Sequence, residues 1–259
     1  MAKRIKIGNV EIGGKEIIVI AGPCAIESEE QFFTTANAVK KAGAKILRGS
    51  AFKPRSSPNS FQGIGIDGLE ILQKAKKEFE MPVVSEIMDS SQLKFFEGKV
   101  DCIQVGARAM QNFELLKHLA KYRVPVLLKN GLSATLKEFI SSSKYITQGS
   151  NNNVLFCLRG IRTFETETRF SLDLGLVPIL QKLSDFPVVV DPSHAAGKRE
   201  LVPALAKAAI AAGADALLIE VHPNPETALS DSEQQLNFSE FRKLMQELRP
   251  VARAVGREI

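Results

Sequence analysis

The sequence predicts an α/β protein, a (β/α)8 TIM barrel preceded by a short N-terminal β-hairpin. Three observations predict it. The chain has 259 residues, and barrels of this kind run to roughly 250. Eight short β-branched runs recur along it, most of them followed by a helical pattern. Several runs are continuously apolar, as in IIVI at 17–20 and PVVVD at 187–191, which suits strands of a parallel sheet covered on both faces. An open, doubly wound sheet with extra strands is the competing architecture. No linker interrupts the pattern, so residues 1–259 are expected to form a single barrel domain, with 1–15 as its hairpin extension.

The elements follow in order. KIGNVEIGG holds two strand-like pieces around Gly8-Asn9 and reads as a hairpin closing the barrel bottom. The first barrel strand spans Glu16 to Ile20 and leads to a helix from Glu29 to Lys41. Ala42-Gly43-Ala44 ends that helix on a glycine and enters the second strand, Ala44 to Leu47. A helix over Leu69 to Glu78 precedes the strand Pro82 to Ser85, and Cys102 to Val105 follows. A helix over Asn112 to Lys121 precedes Pro125 to Leu128, and then come Val154 to Leu158 and Pro187 to Val190. The helix Leu201 to Ala211 ends in a second Ala-Gly-Ala at 212–214, before the last strand, Ala216 to Ile219, and a final helix over Ser239 to Val255.

Composition narrows the function classes. A chain of this length buries roughly 70–75% of its unfolded surface, so it needs no disulfide staple. Its 3 cysteines, at 24, 102 and 157, show no close pairing, and no leader precedes them. A reducing, cytoplasmic setting is expected. No run of about 18 uncharged apolar residues exists, so no membrane span is expected. The net charge of +5 admits nucleic acid or anionic metabolites as partners. The longest basic cluster, Lys74, Lys76 and Lys77, lies on a predicted helix surface without interleaved aromatics, which argues against nucleic acid.

Chemistry in such barrels gathers at the carboxyl ends of the strands. Here those ends are polar all round: Cys24; Arg48 with Lys53, Arg55 and Ser56; Glu86; Gly106-Ala107-Arg108; Lys129; Arg159 and Arg162; Asp191 and His194; Glu220 and His222. Arg48, Lys53, Arg55, Arg108, Lys129, Arg159 and Arg162 form one set, seven cations around one rim. Unpaired, they would repel at roughly 1 kcal/mol or more per close pair, so the site is built for anions. Arginine suits bidentate carboxylate and phosphate, and this number suggests a carboxylate plus two phosphates. Cys24, His194, Glu220 and Asp231 form the second set, a shell suited to a divalent transition metal. Taken singly, Cys24 also reads as a small buried hydrophobe, His194 as a structural histidine and Asp231 as a loop cap. Their shared placement favours the metal.

With these residues the chain resembles the 3-deoxy-D-arabino-heptulosonate 7-phosphate (DAHP) synthases, in their compact form without a regulatory domain. The motifs are AGPCAIES, ILRGSAFKPRSSP, QVGAR, LLKNG, LRGIRT, DPSHAAGKR, IEVHP and DSEQQL, spread over residues 21–236. The resemblance implies a (β/α)8 barrel enzyme of the shikimate pathway. Such an enzyme condenses phosphoenolpyruvate with erythrose 4-phosphate and needs a divalent metal, Mn2+, Fe2+, Co2+ or Zn2+. It implies metal ligation by Cys24, His194, Glu220 and Asp231, and phosphoenolpyruvate binding by Arg48, Lys53, Arg108, Lys129 and Arg159, with Glu86, Gly106 and Ala107 beside them. Arg55 and Ser56 would hold the sugar phosphate; many relatives carry Thr in place of Ser56. Lys129, His194 and Cys24 are the expected catalytic residues. Lys129 is the candidate proton donor, on the argument that surrounding cations depress its pKa. Ion pairs of Lys129 or Arg159 with Glu86 or Asp191 are the structural alternative.

The sister family, the 3-deoxy-D-manno-octulosonate 8-phosphate synthases, uses arabinose 5-phosphate and generally shows Lys-Ala-Asn-Arg-Ser where this chain has Lys53-Pro54-Arg55-Ser56. The shorter form, rigid at Pro54, is expected to favour the four-carbon sugar. A non-catalytic phosphometabolite-binding barrel is a further alternative. The resemblance also implies a homo-oligomer, a tetramer. About 15 residues precede the first barrel strand, so an enzyme without feedback inhibition is expected.

Overall fold

The structure, a computed structural model, describes residues 3–259; Met1 and Ala2, the start of the expected hairpin extension and domain, lie outside the described residues. Eight parallel strands close into a barrel: β3 (Ile18–Gly22), β4 (Ile46–Arg48), β5 (Val83–Ile87), β6 (Cys102–Val105), β7 (Val126–Lys129), β8 (Val154–Leu158), β9 (Val188–Val190) and β10 (Ala216–Glu220). Each pairs with its sequence neighbour, and β10 returns to β3 with Glu220 opposite Gly22. The open-sheet alternative is excluded by this closure.

Helices cover the outside. α1 (Glu29–Ala42) shows why they form: Ser28 caps its first turn by accepting from the Gln31 N–H, acidic Glu29 and Glu30 open it, and Lys40 and Lys41 close it. Those charges complement the helix dipole. Phe32, Thr35, Ala36 and Val39 recur on one buried face. Gly43 ends it in the left-handed conformation, as the Ala-Gly-Ala pattern predicts. α2 (Ile66–Phe79), α4 (Phe113–Leu119), α8 (Val202–Ala211) and α9 (Phe238–Ala254) match the expected helices within a few residues. α5 (Leu136–Thr147) and α6 (Leu176–Leu183) are additional. The start of α5 is a capping box in which Thr135 and Glu138 exchange side-chain and backbone bonds. A four-residue α3 (Leu93–Phe96) and a five-residue α7 (Pro192–Ala196) complete the set.

The hairpin sits where expected. β1 (Ile5–Ile7) and β2 (Val10–Ile12) pair antiparallel. Ile5, Ile7 and Ile12 join the barrel interior with Ile18, Ile46, Leu127 and Leu218, so the hairpin stoppers the amino-terminal end. The first barrel strand begins two residues later than expected, because Glu16 bridges to Glu258 at the chain's end instead of to a barrel neighbour. All three cysteines are free and buried. No helix among the described residues is long and apolar enough to cross a membrane.

Candidate active site

With one end stoppered, the polar residues at the carboxyl ends of the strands face a single open mouth. The deepest group lies under β3 and β10. Gly22 ends β3 in van der Waals contact with β4: a Cβ there would lie 2.0 Å from the Arg48 carbonyl oxygen. This close approach brings Cys24 over the mouth. Cys24, His194, Glu220 and Asp231 each offer a ligand atom, all within 4.8 Å of one another. Cys24 Sγ is 3.0 Å from Asp231 Oδ2, and His194 Nε2 is 3.4 Å from Glu220 Oε1.

The electrostatics of this group fit a divalent cation. Burial and the neighbouring Glu220 carboxylate push the Cys24 thiol well above its ordinary pKa, against the opposing charges of Lys53 and Arg48. Burial would also raise Glu220 and Asp231, but the Arg48 and Lys53 charges outweigh it at Glu220, and Lys53 and Arg169 at Asp231, so both carboxyls stay ionised. Burial depresses His194, leaving the neutral imidazole that a metal requires. Its Nδ1 lies 2.7 Å from Asp191 Oδ2, without the alignment of a hydrogen bond. A carboxylate behind a ligating imidazole is a recurrent metal-site arrangement. A thiol held protonated must lose its proton on ligation. Mn2+ binding near neutral pH is therefore expected to release about one proton and to tighten about tenfold per pH unit. Calorimetry in buffers of different ionisation heat checks this, and buffer-independent heats would contradict it.

Charged side chains bracket the four residues. Arg48 donates through Nη1 to Glu220 Oε1, both fully buried, and Lys53 Nζ donates to Cys24 Sγ at 3.0 Å. Burial works against the Lys53 charge, but the carboxylates of Glu86, Asp231 and Glu220 outweigh it and hold the ammonium above its usual pKa.

Above them opens a cavity of about 210 Å³, lined among others by Lys53, Arg55, Ser56, Glu86, Arg108 and Arg159. Gly106, Ala107 and Lys129 also reach it. Glu86 accepts from Gln104 Nε2 at 2.9 Å. It packs so closely on Gly106 that a Cβ there would lie 2.0 Å from its Oε1. Arg159 stacks over the Phe170 ring, 3.7 Å from its centroid. Its Nη1 is buried without a partner among the described residues, and burial depresses its pKa to about 10. Arg55, Arg108 and Arg159 have no carboxylate within ion-pair distance among the described residues. These three guanidinium groups are available to anions.

Two expectations are corrected. Arg48 is buried and paired with Glu220 and is not among the residues lining the cavity. Arg162 is exposed and is not among the residues lining the cavity, because Ile161 and Ser171 pair and the residues between them form a loop. Arg169 returns in its place and donates to Asp231 Oδ1 at 3.1 Å and Gln234 Oε1 at 2.7 Å. Lys129 is not crowded only by cations: its Nζ donates to Asp191 Oδ2 at 2.7 Å, the alternative ion pair.

Several residues of the site were not anticipated as such. Asp191 joins Lys129 to His194 and caps α7 by accepting from the His194 N–H; Asp-Pro after a strand is an N-cap signal. Gln234 donates to Glu220 Oε2, and Gln235 accepts from the Cys24 N–H. Both lie in DSEQQL, where amides in a loop carry no periodic signal. Arg169 has none either.

The chain is similar to known proteins over nearly its whole length. The family model described as "DAHP synthetase I family" matches residues 2–254. A phospho-2-dehydro-3-deoxyheptonate aldolase of Thermotoga maritima is 47% identical over 252 residues, 97% of this chain and 75% of that protein. A 2-dehydro-3-deoxyphosphooctonate aldolase of Francisella tularensis subsp. holarctica is 34% identical over 269 residues, 94% of this chain and 96% of that protein. Among solved structures, the Thermotoga maritima DAHP synthase superposes with a TM-score of 0.95 at 46% identity, covering 99% of this chain and 75% of that one. A truncated form of the Thermotoga enzyme gives 0.92 at 43% identity, covering 99% and 94%. A family match over nearly the whole chain, on a closed (β/α)8 barrel, means that the chain belongs to the DAHP synthetase I family.

Proposed function

We propose that this barrel, as one domain, condenses phosphoenolpyruvate with erythrose 4-phosphate and water to give 3-deoxy-D-arabino-heptulosonate 7-phosphate and phosphate. One observation carries the reading. A cluster of thiol, imidazole and two carboxylates lies directly beneath a cavity holding three guanidinium groups without carboxylate partners. The greater identity to the heptonate aldolase than to the octonate aldolase favours the four-carbon sugar, as does rigid Pro54 on the cavity wall.

Cys24, His194, Glu220 and Asp231 would hold the divalent metal. Mn2+, Fe2+, Co2+ and Zn2+ all suit this mixed donor set. When bound there it supplies Lewis acidity to the sugar aldehyde. The rest is the work of side chains. Arg159, Arg108 and Lys53 bind the carboxylate and phosphate of phosphoenolpyruvate and aim its methylene carbon at the aldehyde. Arg55 and Ser56 take the phosphate of the sugar. The new carbon–carbon bond leaves the phosphate-bearing carbon electron-poor. The Glu86 carboxylate, held by Gln104, offsets that charge while water adds, after which phosphate departs. Lys129 holds a proton at Nζ for the aldehyde oxygen and shares it with Asp191. Buried free thiols support a reducing, cytoplasmic setting, and the resemblance supports a homotetramer.

The test measures phosphoenolpyruvate consumption with erythrose 4-phosphate and with arabinose 5-phosphate in parallel, with and without EDTA. Erythrose 4-phosphate is expected to be used preferentially. EDTA is expected to abolish turnover, and Mn2+, Co2+ or Fe2+ to restore it. Full turnover in excess EDTA would remove the metal from the reading, and preference for arabinose 5-phosphate would reassign the substrate. Exchanging Pro54 for Ala-Asn is expected to raise the use of arabinose 5-phosphate, and an unchanged substrate ratio would remove Pro54 from the specificity argument.

A further inference from the structure

The loop that carries Asp231 is tethered by groups with no part in the chemistry above. After β10 the chain runs out and back, closed at its base by the Val221–Leu236 bridge and by the His222 N–H, which donates to the Leu236 carbonyl at 2.9 Å. Asp231 lies within it at φ 49°, in the left-handed region. Such a conformation is sparsely populated outside glycine and is held here by its surroundings.

Arg169 on the Asp231 Oδ1 at 3.1 Å and the Gln234 N–H on the Asp231 carbonyl at 3.4 Å do part of this, and the two residues before Asp231 show the rest. The Leu229 N–H donates to Glu27 Oε1 at 2.9 Å, and the Ser230 carbonyl accepts from Gln235 Nε2 at 2.8 Å. The Leu229 side chain is 53% exposed, so its backbone and not its packing holds it. Glu27 is itself fixed, since its Oε2 lies 3.4 Å from Nε2 of buried His222. His222 Nδ1 accepts from the Asn224 N–H at 3.1 Å, so the ring proton sits on Nε2 and faces Glu27. Glu27 follows Cys24 by three residues, and His222 follows Glu220 by two. The pair therefore joins the loop after the first barrel strand to the loop after the last.

We propose that Glu27 and His222 form a latch that presets Asp231 as a ligand of the cation site. They are positioning residues. The inference rests on the reading of Asp231 as a ligand and extends it. Without Glu27 the Leu229 N–H loses its acceptor. Residues 229–231 then relax out of the left-handed turn, carrying Asp231 Oδ2 away from Cys24 Sγ. Cys24, His194 and Glu220 stay, because β3, α7 and β10 hold them.

Mn2+ titration calorimetry on the full chain tests this in a double-mutant cycle. Glu27→Ala is expected to weaken Mn2+ binding about tenfold or more, the usual range for a group behind a ligand. In the Asp231→Ala background the same change is expected to alter affinity by less than about twofold, since no ligand remains to be positioned. Glu27→Gln, which keeps an acceptor for Leu229 but turns an amide N–H toward the His222 donor, is expected to fall between, and it serves if the alanine variant does not fold. Equal losses in both backgrounds would mean general structural damage and overturn the latch, as would no loss in either. If Asp231→Ala itself leaves Mn2+ affinity unchanged, Asp231 is not a ligand and the latch falls with that reading.

Discussion

Replacing Lys129 with methionine is expected to lower kcat by about 10²–10⁴-fold, the range that a positioned proton donor supplies. Lys129 closes β7 with its Nζ on Asp191 Oδ2 at 2.7 Å, and that oxygen is also 2.7 Å from His194 Nδ1. The ammonium thus borders both the anion cavity and the group behind the imidazole. Methionine removes the proton and the charge together, so Lys129→Arg separates them. A guanidinium keeps the charge facing Asp191 but does not give up a proton. Lys129→Arg is expected to keep Mn2+ affinity and the KM for phosphoenolpyruvate within a few-fold while kcat falls nearly as far as in Lys129→Met. Steady-state kinetics with calorimetry of Mn2+ binding reads both quantities. A Lys129→Arg enzyme with near-parent kcat would reduce Lys129 to a binding charge.

The barrel was legible because each strand announces itself locally, as a short apolar run that stops at a polar residue. The carboxyl ends could thus be listed, and the structure brings most of that list to one mouth: Cys24, Lys53, Glu86, Arg108, Lys129, Arg159, His194 and Glu220. Which of these residues pair was legible only in part: Lys129 with Asp191 is one of several alternatives that the sequence leaves open, and nothing in it marks Arg48 with Glu220. Lys129 and Asp191 are 62 positions apart, and Arg48 and Glu220 are 172 apart. Barrel closure, with no local pattern to mark it, brings each pair together. The exchange of Arg162 for Arg169 has the same origin. The first follows β8 closely, but the Ile161–Ser171 bridge makes a loop of the intervening residues, and it is Arg169 near the end of that loop that lines the cavity. The hydrogen bonds of Gln234 and Gln235 likewise depend on the path of a whole loop.

Arg48→Leu in the presence of EDTA is expected to destabilise the protein by about 3–5 kcal/mol, the usual cost of breaking a buried ion pair from one side. In a chain of this size that lowers Tm by roughly 6–20 °C. Arg48 is the largest of the fully buried side chains, and Glu220 is completely enclosed. With the guanidinium gone, burial raises the Glu220 carboxyl, whereas Arg48 now holds it low. The sign of the pH dependence follows. In the parent, the stability contributed by Glu220 is present above its unfolded pKa and is lost as pH falls through the lower folded value. In Arg48→Leu the folded value lies higher, and stability is lost as pH rises through it. The deficit should therefore narrow toward acid pH, where Glu220 is neutral, and scanning calorimetry between neutral pH and about 4.5 reads it. A deficit independent of pH would mean that lost packing around the Arg48 stem is responsible. Excess Mn2+ at 100 times its Kd contributes about 2.7 kcal/mol to any form that binds it, and should offset part of the loss. Replacing both partners, Arg48→Leu with Glu220→Leu, is expected to recover most of the stability, because a buried pair exchanged for apolar groups is often neutral or better. That double variant should bind Mn2+ far more weakly. A pair that an apolar core could replace is then retained for its chemistry: Arg48 keeps an enclosed carboxylate ionised beside a thiol and an imidazole, where a cation can use it.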